Sequence, residues 1–132
     1  MLYQEQLSLV EGETPYQVQV SAFLIGDDLA VMVYGGDKPH VGAIAVSIPR
    51  PSLKDPQAIS STTSVFALIG HKEDELAKKM AGKLASALNR KVVLTAGIHV
   101  DDLTVSGIRE IESNCSKVLE QLLKQLTKYR DR

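Results

Sequence analysis

Two hydrophobic periods divide the chain into a strand-rich first part and a helix-rich second part. Between residues 16 and 25 apolar and polar positions alternate, with Val18, Val20 and Ala22 on one side, as in a half-buried strand. After Gly70 the apolar residues recur at three- and four-residue steps, which is the period of an amphipathic helix. The change of period predicts a sheet that is built first and covered by helices afterwards.

Several short runs are predicted strands. Residues 16–25 and 29–34 flank the turn signal Gly26-Asp27-Asp28, so they are predicted to form a hairpin. The remaining predicted strands are a candidate first strand at 6–10, a strand at 41–48, a hydroxyl-rich run at 60–69 and a short central strand at 92–96.

The strand at 41–48 has two unlike faces. Ile44, Val46 and Ile48 are bulky and are predicted to meet the helices, whereas the other face is mostly small and would admit a ligand, a second sheet or a partner. Pro49 and Pro51 are predicted to end the strand, because proline cannot donate to the ladder.

Two helices are predicted. The first follows Gly70 and closes at Asn89-Arg90-Lys91, and the second is capped by Asp101, Asp102 or Thr104 and runs to about Tyr129. Cys115 lies in the apolar stripe of the second helix and is predicted to be a core residue. Near the end of this helix three leucines are predicted to overhang and form a homodimer contact: Leu122, Leu123 and Leu126.

The predicted fold class is α+β, with a largely antiparallel sheet and two helices of the C-terminal half packed on one face. The order of elements is β-β-β-β-α-β-α, to which residues 6–10 add a candidate first strand. At 132 residues the chain is predicted to be a single domain over 1–132.

Composition narrows the function classes. The net charge of −1 gives no electrostatic basis for nucleic-acid binding. A single cysteine excludes an internal disulfide and suits the cytoplasm, and no apolar run is long enough to span a membrane. The three histidines have no metal-ligand spacing, so no metal site is predicted.

Candidate chemistry lies in three glycine-bearing loops, each of which holds one histidine and an acid a few residues away. They are Gly35 to Ala43 around His40, Gly70 to Asp74 around His71, and Gly97 to Asp101 around His99. A helix that starts after Gly70 would present unpaired amides to an anion, with His71 and Lys72 beside it. The alternative is that Glu73 and Asp74 already complement the helix dipole.

The other two loops also leave alternatives open. Gly36 and its neighbours fit a wide hairpin connection that needs positive φ, or a site in which Asp37 orients His40 and Lys38 meets an anion. His99 follows a predicted central strand, where Asp101 would fix its tautomer, or the stretch is an ordinary loop.

The three loop motifs, taken in order, resemble those of the LpdD-like family over roughly residues 31–123. That family includes the small D subunit associated with bacterial gallate decarboxylase. The resemblance implies a non-catalytic prenylated-flavin chaperone that acts with an aromatic-acid decarboxylase using prenylated FMN. It also implies a fold like that of proteasome assembly chaperones, whose small subunits pair as dimers.

The resemblance implies transient binding of prenylated FMN or FMN, and partners that include a second copy and a decarboxylase catalytic subunit. The cofactor-binding residues predicted from the resemblance and the loops are Gly36, Asp37, Lys38, His40, Gly70, His71, Lys72, His99 and Asp101, with no catalytic residue. The alternatives are a structural dimeric docking module and a small enzyme that uses a His–acid pair. We expect the three histidines to converge on one pocket, whose affinity for an anion rises as pH falls through about 6.5.

Overall fold

The computed structural model describes residues 5–68 and 73–129. Within them the predicted α+β class and the order of elements are confirmed, and the candidate first strand is present. The elements are β1 Glu5–Glu11, β2 Val18–Ile25, β3 Asp28–Gly36, β4 Ala43–Pro51, β5 Ile59–Ala67, α1 Glu73–Leu88, β6 Val92–His99, α2 Val105–Leu126 and a short 3₁₀ helix Thr127–Tyr129.

The six strands form one sheet in the order β1-β2-β3-β6-β4-β5. The predicted hairpin is confirmed, since Ile25 pairs with Asp28 across a two-residue turn and Gly26 has a φ of +59°. The last strand, β6, lies between β3 and β4, parallel to β3 and antiparallel to β4. The prediction of a central position for β6 is therefore confirmed, and every other strand pair in the sheet is antiparallel.

The helices cover the small-residue face of β4, so the predicted orientation of this strand is wrong. Ala43, Ala45 and Ser47 are fully buried, whereas Val46 and Ile48 are 42% and 51% exposed. Opposite them, α1 turns Ala77 and Ala81 toward the sheet. Small side chains on both partners let the helix approach the strand closely, and this close packing explains why the bulky side chains lie on the other face.

Strand β4 also continues through its two prolines, which were predicted to end it. The hydrogen bond from Leu68 N to Gly42 O (2.9 Å) sets the alternation of the β4–β5 ladder. By this alternation Pro49 and Pro51, opposite Ser61 and Ile59, occupy positions whose N–H does not point toward β5. The strand can continue because the missing donors are not needed there.

The opposite side of the sheet is not covered by either helix; we call it the open face. Two rows across the six strands form its centre, and Met32, Val93 and Phe66 in them are 42%, 46% and 71% exposed. By strand alternation Asp28 and Arg50 lie on the same face, at its margins. In order from β1, the rows are Ser8, Ser21, Met32, Thr95, Ile44 and Phe66, and Gln6, Phe23, Ala30, Val93, Val46 and Ser64. None of these twelve residues is charged.

Helix α2 packs its apolar stripe on its own domain. Leu122 and Leu126 are fully buried, so the predicted overhang of leucines toward a second subunit is wrong. Cys115 is confirmed as a core residue, and burial, the largest cause, together with the nearby Glu112, raises the pKa of its thiol to about 12. Of the predicted caps, Thr104 is the one used, and its hydroxyl accepts from Gly107 N at 3.0 Å.

Candidate functional site

The connection between β3 and β4, residues 37–42, crosses over the end of β6; we call it the crossing loop. Asp37 N and Lys38 N donate to His99 O at 2.7 and 3.2 Å, and Gly42 N donates to Ala96 O at 2.9 Å. The interpretation of Gly35 to Gly42 as a wide hairpin connection is therefore wrong, because β6 separates the two strands. The expected positive φ is present at Gly36, at +78°.

Gly97 allows the crossing loop to lie on the strand beneath it. A Cβ at this position would be 1.7 Å from His40 O, far closer than any real contact. His40 N also donates to Gly97 O at 3.4 Å. The glycine near His99 is thus explained by the close approach of the loop that carries His40.

His40 joins the crossing loop to the start of α1. Its Nε2 lies 2.9 Å from Glu73 Oε1, and its Nδ1 lies 3.0 Å from Lys38 O. A carbonyl oxygen only accepts, and so does an ionised carboxylate, so the doubly protonated imidazolium satisfies both contacts by donating twice. With these two contacts made, the side chain of His40 is 27% exposed.

Glu73 is a site residue whose role the sequence did not reveal. Its side chain is only 11% exposed, and besides His40 it accepts from Ile98 N at 3.3 Å. Its second oxygen is buried against Gly42 and has no hydrogen-bond partner among the described residues. In the sequence Glu73 is one of several acids at a helix start, which suggests only that it complements the helix dipole. Nothing near it in the sequence indicates its contacts with the crossing loop and with β6.

Asp101 contacts polar side chains of both the crossing loop and the end of β6. Its Oδ1 is 3.0 Å from His99 Nε2 and 3.6 Å from Lys38 Nζ, and its backbone N donates to Asp37 Oδ2 at 3.0 Å. The hydrogen bond from His99, with the nearby Lys38 charge, lowers the pKa of the Asp101 carboxyl below its ordinary value. The predicted pairing of Asp101 with His99 is confirmed by this geometry.

The structure therefore brings together two of the three predicted histidine loops. The backbones that carry His40 and His99 adjoin because β4 runs antiparallel to β6, which places the start of β4 beside the end of β6. The two imidazoles have different partners, Glu73 for His40 and Asp101 for His99. His99 is the last residue of β6 and belongs to the strand, contrary to the predicted loop. Gly70, His71 and Lys72 lie outside the described residues, so their part in the site stays a prediction.

The described start of α1 is strongly acidic. Its first turn consists of Glu73, Asp74 and Glu75, and Asp74 Oδ1 accepts from Glu75 N at 2.9 Å. These carboxylates complement the positive end of the helix dipole, as the alternative interpretation of this loop stated. An anion at this position would have to approach three acidic side chains.

The described residues show neither a candidate metal site nor a membrane-spanning helix. No group of three or more His, Cys, Asp or Glu side chains is arranged to hold a metal ion within 5–68 and 73–129. In the same ranges, no helix combines the length and apolarity needed to cross a membrane.

Comparison with known proteins agrees with the resemblance found in the loops. The family model described as "Prenylated flavin chaperone LpdD-like domain" matches residues 12–127. Protein LpdD of Lactiplantibacillus plantarum is 30% identical over 93 residues, which are 70% of this chain and 65% of that protein, just under two-thirds of its length. The resemblance is confirmed, and the description of the family as a chaperone supports the prediction of a protein that is not an enzyme.

A solved structure shares the fold. A chain of the crystal structure titled "a Novel Chaperone Complex for Yeast 20S Proteasome Assembly" superimposes with a TM-score of 0.60 over 96% of this chain and 98% of that one. The identity is 18%, so this likeness concerns the fold alone. It confirms the expected similarity to the fold of proteasome assembly chaperones.

Proposed function

Because the chain belongs to the prenylated flavin chaperone LpdD-like family, we propose that it is a non-catalytic accessory protein of a decarboxylase that uses prenylated FMN. In this role it holds or delivers the flavin, or assists assembly of the decarboxylase, whose substrates are aromatic acids. The observation that carries the proposal is that the crossing loop, with Lys38 and His40, lies on the end of β6, where Lys38 and His99 share the carboxylate of Asp101. The predicted decarboxylase partner and the cytoplasmic location are part of the same proposal.

The described residues fit a reversible contact with a phosphorylated flavin. Lys38 and His99 have side chains 71% and 46% exposed, and both point to the single carboxylate of Asp101. A flavin phosphate would compete with Asp101 for these two groups, so the phosphate could be released as readily as it is bound. When bound, prenylated FMN supplies its chemistry to the decarboxylase, and this chain supplies only the contacts.

A binding titration tests the flavin proposal. FMN and prenylated FMN are added to the purified protein, and flavin fluorescence and absorbance are followed. We expect saturable binding that is tighter at about pH 5.5 than at about pH 7.5, since protonated histidines attract the phosphate. Lys38→Ala and His99→Asn should weaken it, whereas Lys91→Ala, at the opposite end of the sheet, serves as the matched control.

Two outcomes separate the parts of the proposal. If neither flavin binds at either pH, the flavin-carrier role is wrong. A role in decarboxylase assembly that does not involve flavin binding would then be tested by co-expression with the decarboxylase catalytic subunit. The chain should raise the fraction of that subunit that is assembled. No effect on assembly would contradict the accessory role as well.

A second candidate function, a dimeric docking module, is favoured by the uncharged central rows of the open face. Five spacings of about 4.8 Å between six strands about 27 Å long give the whole face, with its charged margins, a projected area of roughly 650 Å². Because side chains make the accessible area larger than the projected area, the face approaches the roughly 800 Å² that each partner buries in a standard interface. A second copy fits this face because the uncharged central rows of two copies meet without buried like charges. The homodimer of our proposal therefore forms through the open face and does not use the end of α2.

The mass in solution tests the dimer. Light scattering of the wild-type protein at micromolar concentration should give twice 14.4 kDa. Val46→Glu places a charge in a central row of the open face, on the strand beside the β5 edge, and should give the monomer. Leu53→Glu, 90% exposed on the β4–β5 connection, should leave the dimer intact. A wild-type monomer, or a dimer that survives Val46→Glu, would contradict the proposed interface.

A further inference from the structure

Strand β5 is an edge of the sheet and contains none of the residue types that usually protect an edge. Its sequence from Ile59 to Ala67 contains no charged residue and no proline. The opposite edge strand, β1, begins and ends with Glu5 and Glu11. An unprotected edge with free backbone groups is a template for pairing with another extended segment.

The β4–β5 ladder fixes which backbone groups of β5 point away from the sheet. Leu68 N donates to Gly42 O, so the pairs that bond to β4 are the even-numbered residues of β5. Ser61, Thr63 and Val65 therefore turn their N–H and C=O groups to the outer edge. The same residues have their side chains on the helix side, since Ser61 Oγ donates to Gly82 O at 3.1 Å.

An open groove of about 980 Å³ runs along this edge. Strand β5 contributes Ile59, Ser61 and Thr63, and α1 contributes Lys78, Lys79 and Lys83. The three lysines are exposed, and none forms an ion pair with a carboxylate in the described part of the chain.

The charge of the groove is predominantly positive. Glu75, at one end, is the acid among its lining residues, against three lysines. The cations lie on the helix and β5 itself is neutral, so a strand added to the edge would lie beside a row of positive charge. A segment that carries acidic side chains on its helix-facing side complements both features.

We propose that the outer edge of β5 and the lysines of α1 form a docking site for an extended, acidic segment of a partner protein. The segment adds a seventh strand to the sheet through backbone hydrogen bonds with Ser61, Thr63 and Val65. Its Asp or Glu side chains on the helix side then face Lys78 and Lys79. This surface lies apart from the crossing loop and does not depend on flavin binding.

A labelled peptide tests the site on the intact protein. The probe is a fluorescein-labelled peptide of alternating glutamate and threonine, about ten residues long to match the nine residues of β5. We expect saturable binding by fluorescence anisotropy that weakens with added salt. A peptide of the same length with lysine in place of glutamate should not bind.

Backbone pairing is tested with two N-methylated versions of the probe, one methylated at the glutamates and one at the threonines. Only one set of amides faces β5, so one version should lose binding and the other should keep it. Equal binding by the two versions would overturn strand addition, and failure of the unmethylated probe to bind would overturn the proposal as a whole.

The charge contribution is tested with matched double variants. Lys78→Glu with Lys79→Glu should weaken peptide binding about tenfold or more, since two contacts change from attraction to repulsion. The control, Arg109→Glu with Lys117→Glu, makes the same change of charge on α2 and should leave binding within about twofold. Equal loss in the two double variants would show a general charge effect and overturn the assignment to this groove.

Discussion

Substitution of Gly97 by alanine tests the account of the crossing loop most directly. The added methyl group would lie 1.7 Å from His40 O, where real Cβ atoms keep at least 3.0 Å. The loop must therefore move by roughly 1.3 Å, because β6 is held on both sides by β3 and β4. The conflict is with backbone, so no side-chain rotation relieves it.

The cost follows from the contacts that a displaced loop loses. The loop makes backbone hydrogen bonds to His99 O, Gly97 O and Ala96 O, and it carries His40 to Glu73. Loss of two or three such bonds, at about 0.5–1.5 kcal/mol each, gives a decrease of about 1–4.5 kcal/mol in the free energy of unfolding. In urea, with a slope near 1–3 kcal/mol/M, the midpoint falls by on the order of 1–2 M.

Gly82→Ala provides the matched control, measured by the same urea titration followed by circular dichroism. Its Cβ would meet only the Thr63 and Ser61 hydroxyls, at 3.3 and 3.4 Å, and alanine favours the interior of α1 by about 1 kcal/mol. We therefore expect a change below about 1 kcal/mol in either direction. A Gly97→Ala protein within about 0.5 kcal/mol of wild type would refute the proposed contact between loop and strand.

Three other predictions concern single side chains. Thr104→Ala removes the cap of α2 and should lower the free energy of unfolding by about 1 kcal/mol in a denaturant titration, whereas Thr104→Ser should be nearly neutral. Cys115 should not react with a thiol reagent at pH 8 in the folded protein and should react fully in urea, since burial raises the pKa of its thiol to about 12; rapid labelling of the native state would contradict the packing. The lowered pKa of Asp101 means that its contacts with His99 and Lys38 stabilise the fold above its ordinary pKa and are lost as pH falls through the lower folded-state value. Asp101→Asn should therefore be less stable than wild type at pH 7 and converge with it in strong acid, and a pH-independent difference would disprove the linkage.

The periodic features of the sequence predicted the elements well, since alternation and helical spacing directly reflect burial. Val18, Val20 and Ala22 are buried as predicted, and Cys115 lies in the core. The failure at β4 has a physical cause. Periodicity separates the two faces of a strand but does not say which face meets a helix, and here the helix is itself lined by alanines that need a small partner surface.

The site was less predictable because it depends on strand order. The glycines from Gly35 to Gly42 fit a hairpin in sequence, and only the placement of β6 between β3 and β4 turns them into a crossing. The same placement brings His40 to Gly97 and Glu73 to Ile98, contacts between residues far apart in the chain. The short-range pair of His99 and Asp101 was predicted, since its two members are separated by one residue.

The central place of β6 has a consequence for how the protein is made. Strands β1 to β3 form one antiparallel ribbon and β4 with β5 forms another, and the two ribbons are joined in the sheet only through β6. During synthesis both ribbons leave the ribosome before Val92, so a nascent chain holds two unfinished edges until its last third arrives. Long-range closure of this kind is slow compared with hairpin formation. We therefore expect the nascent chain to expose the unpaired edges of β3 and β4 until β6 is made.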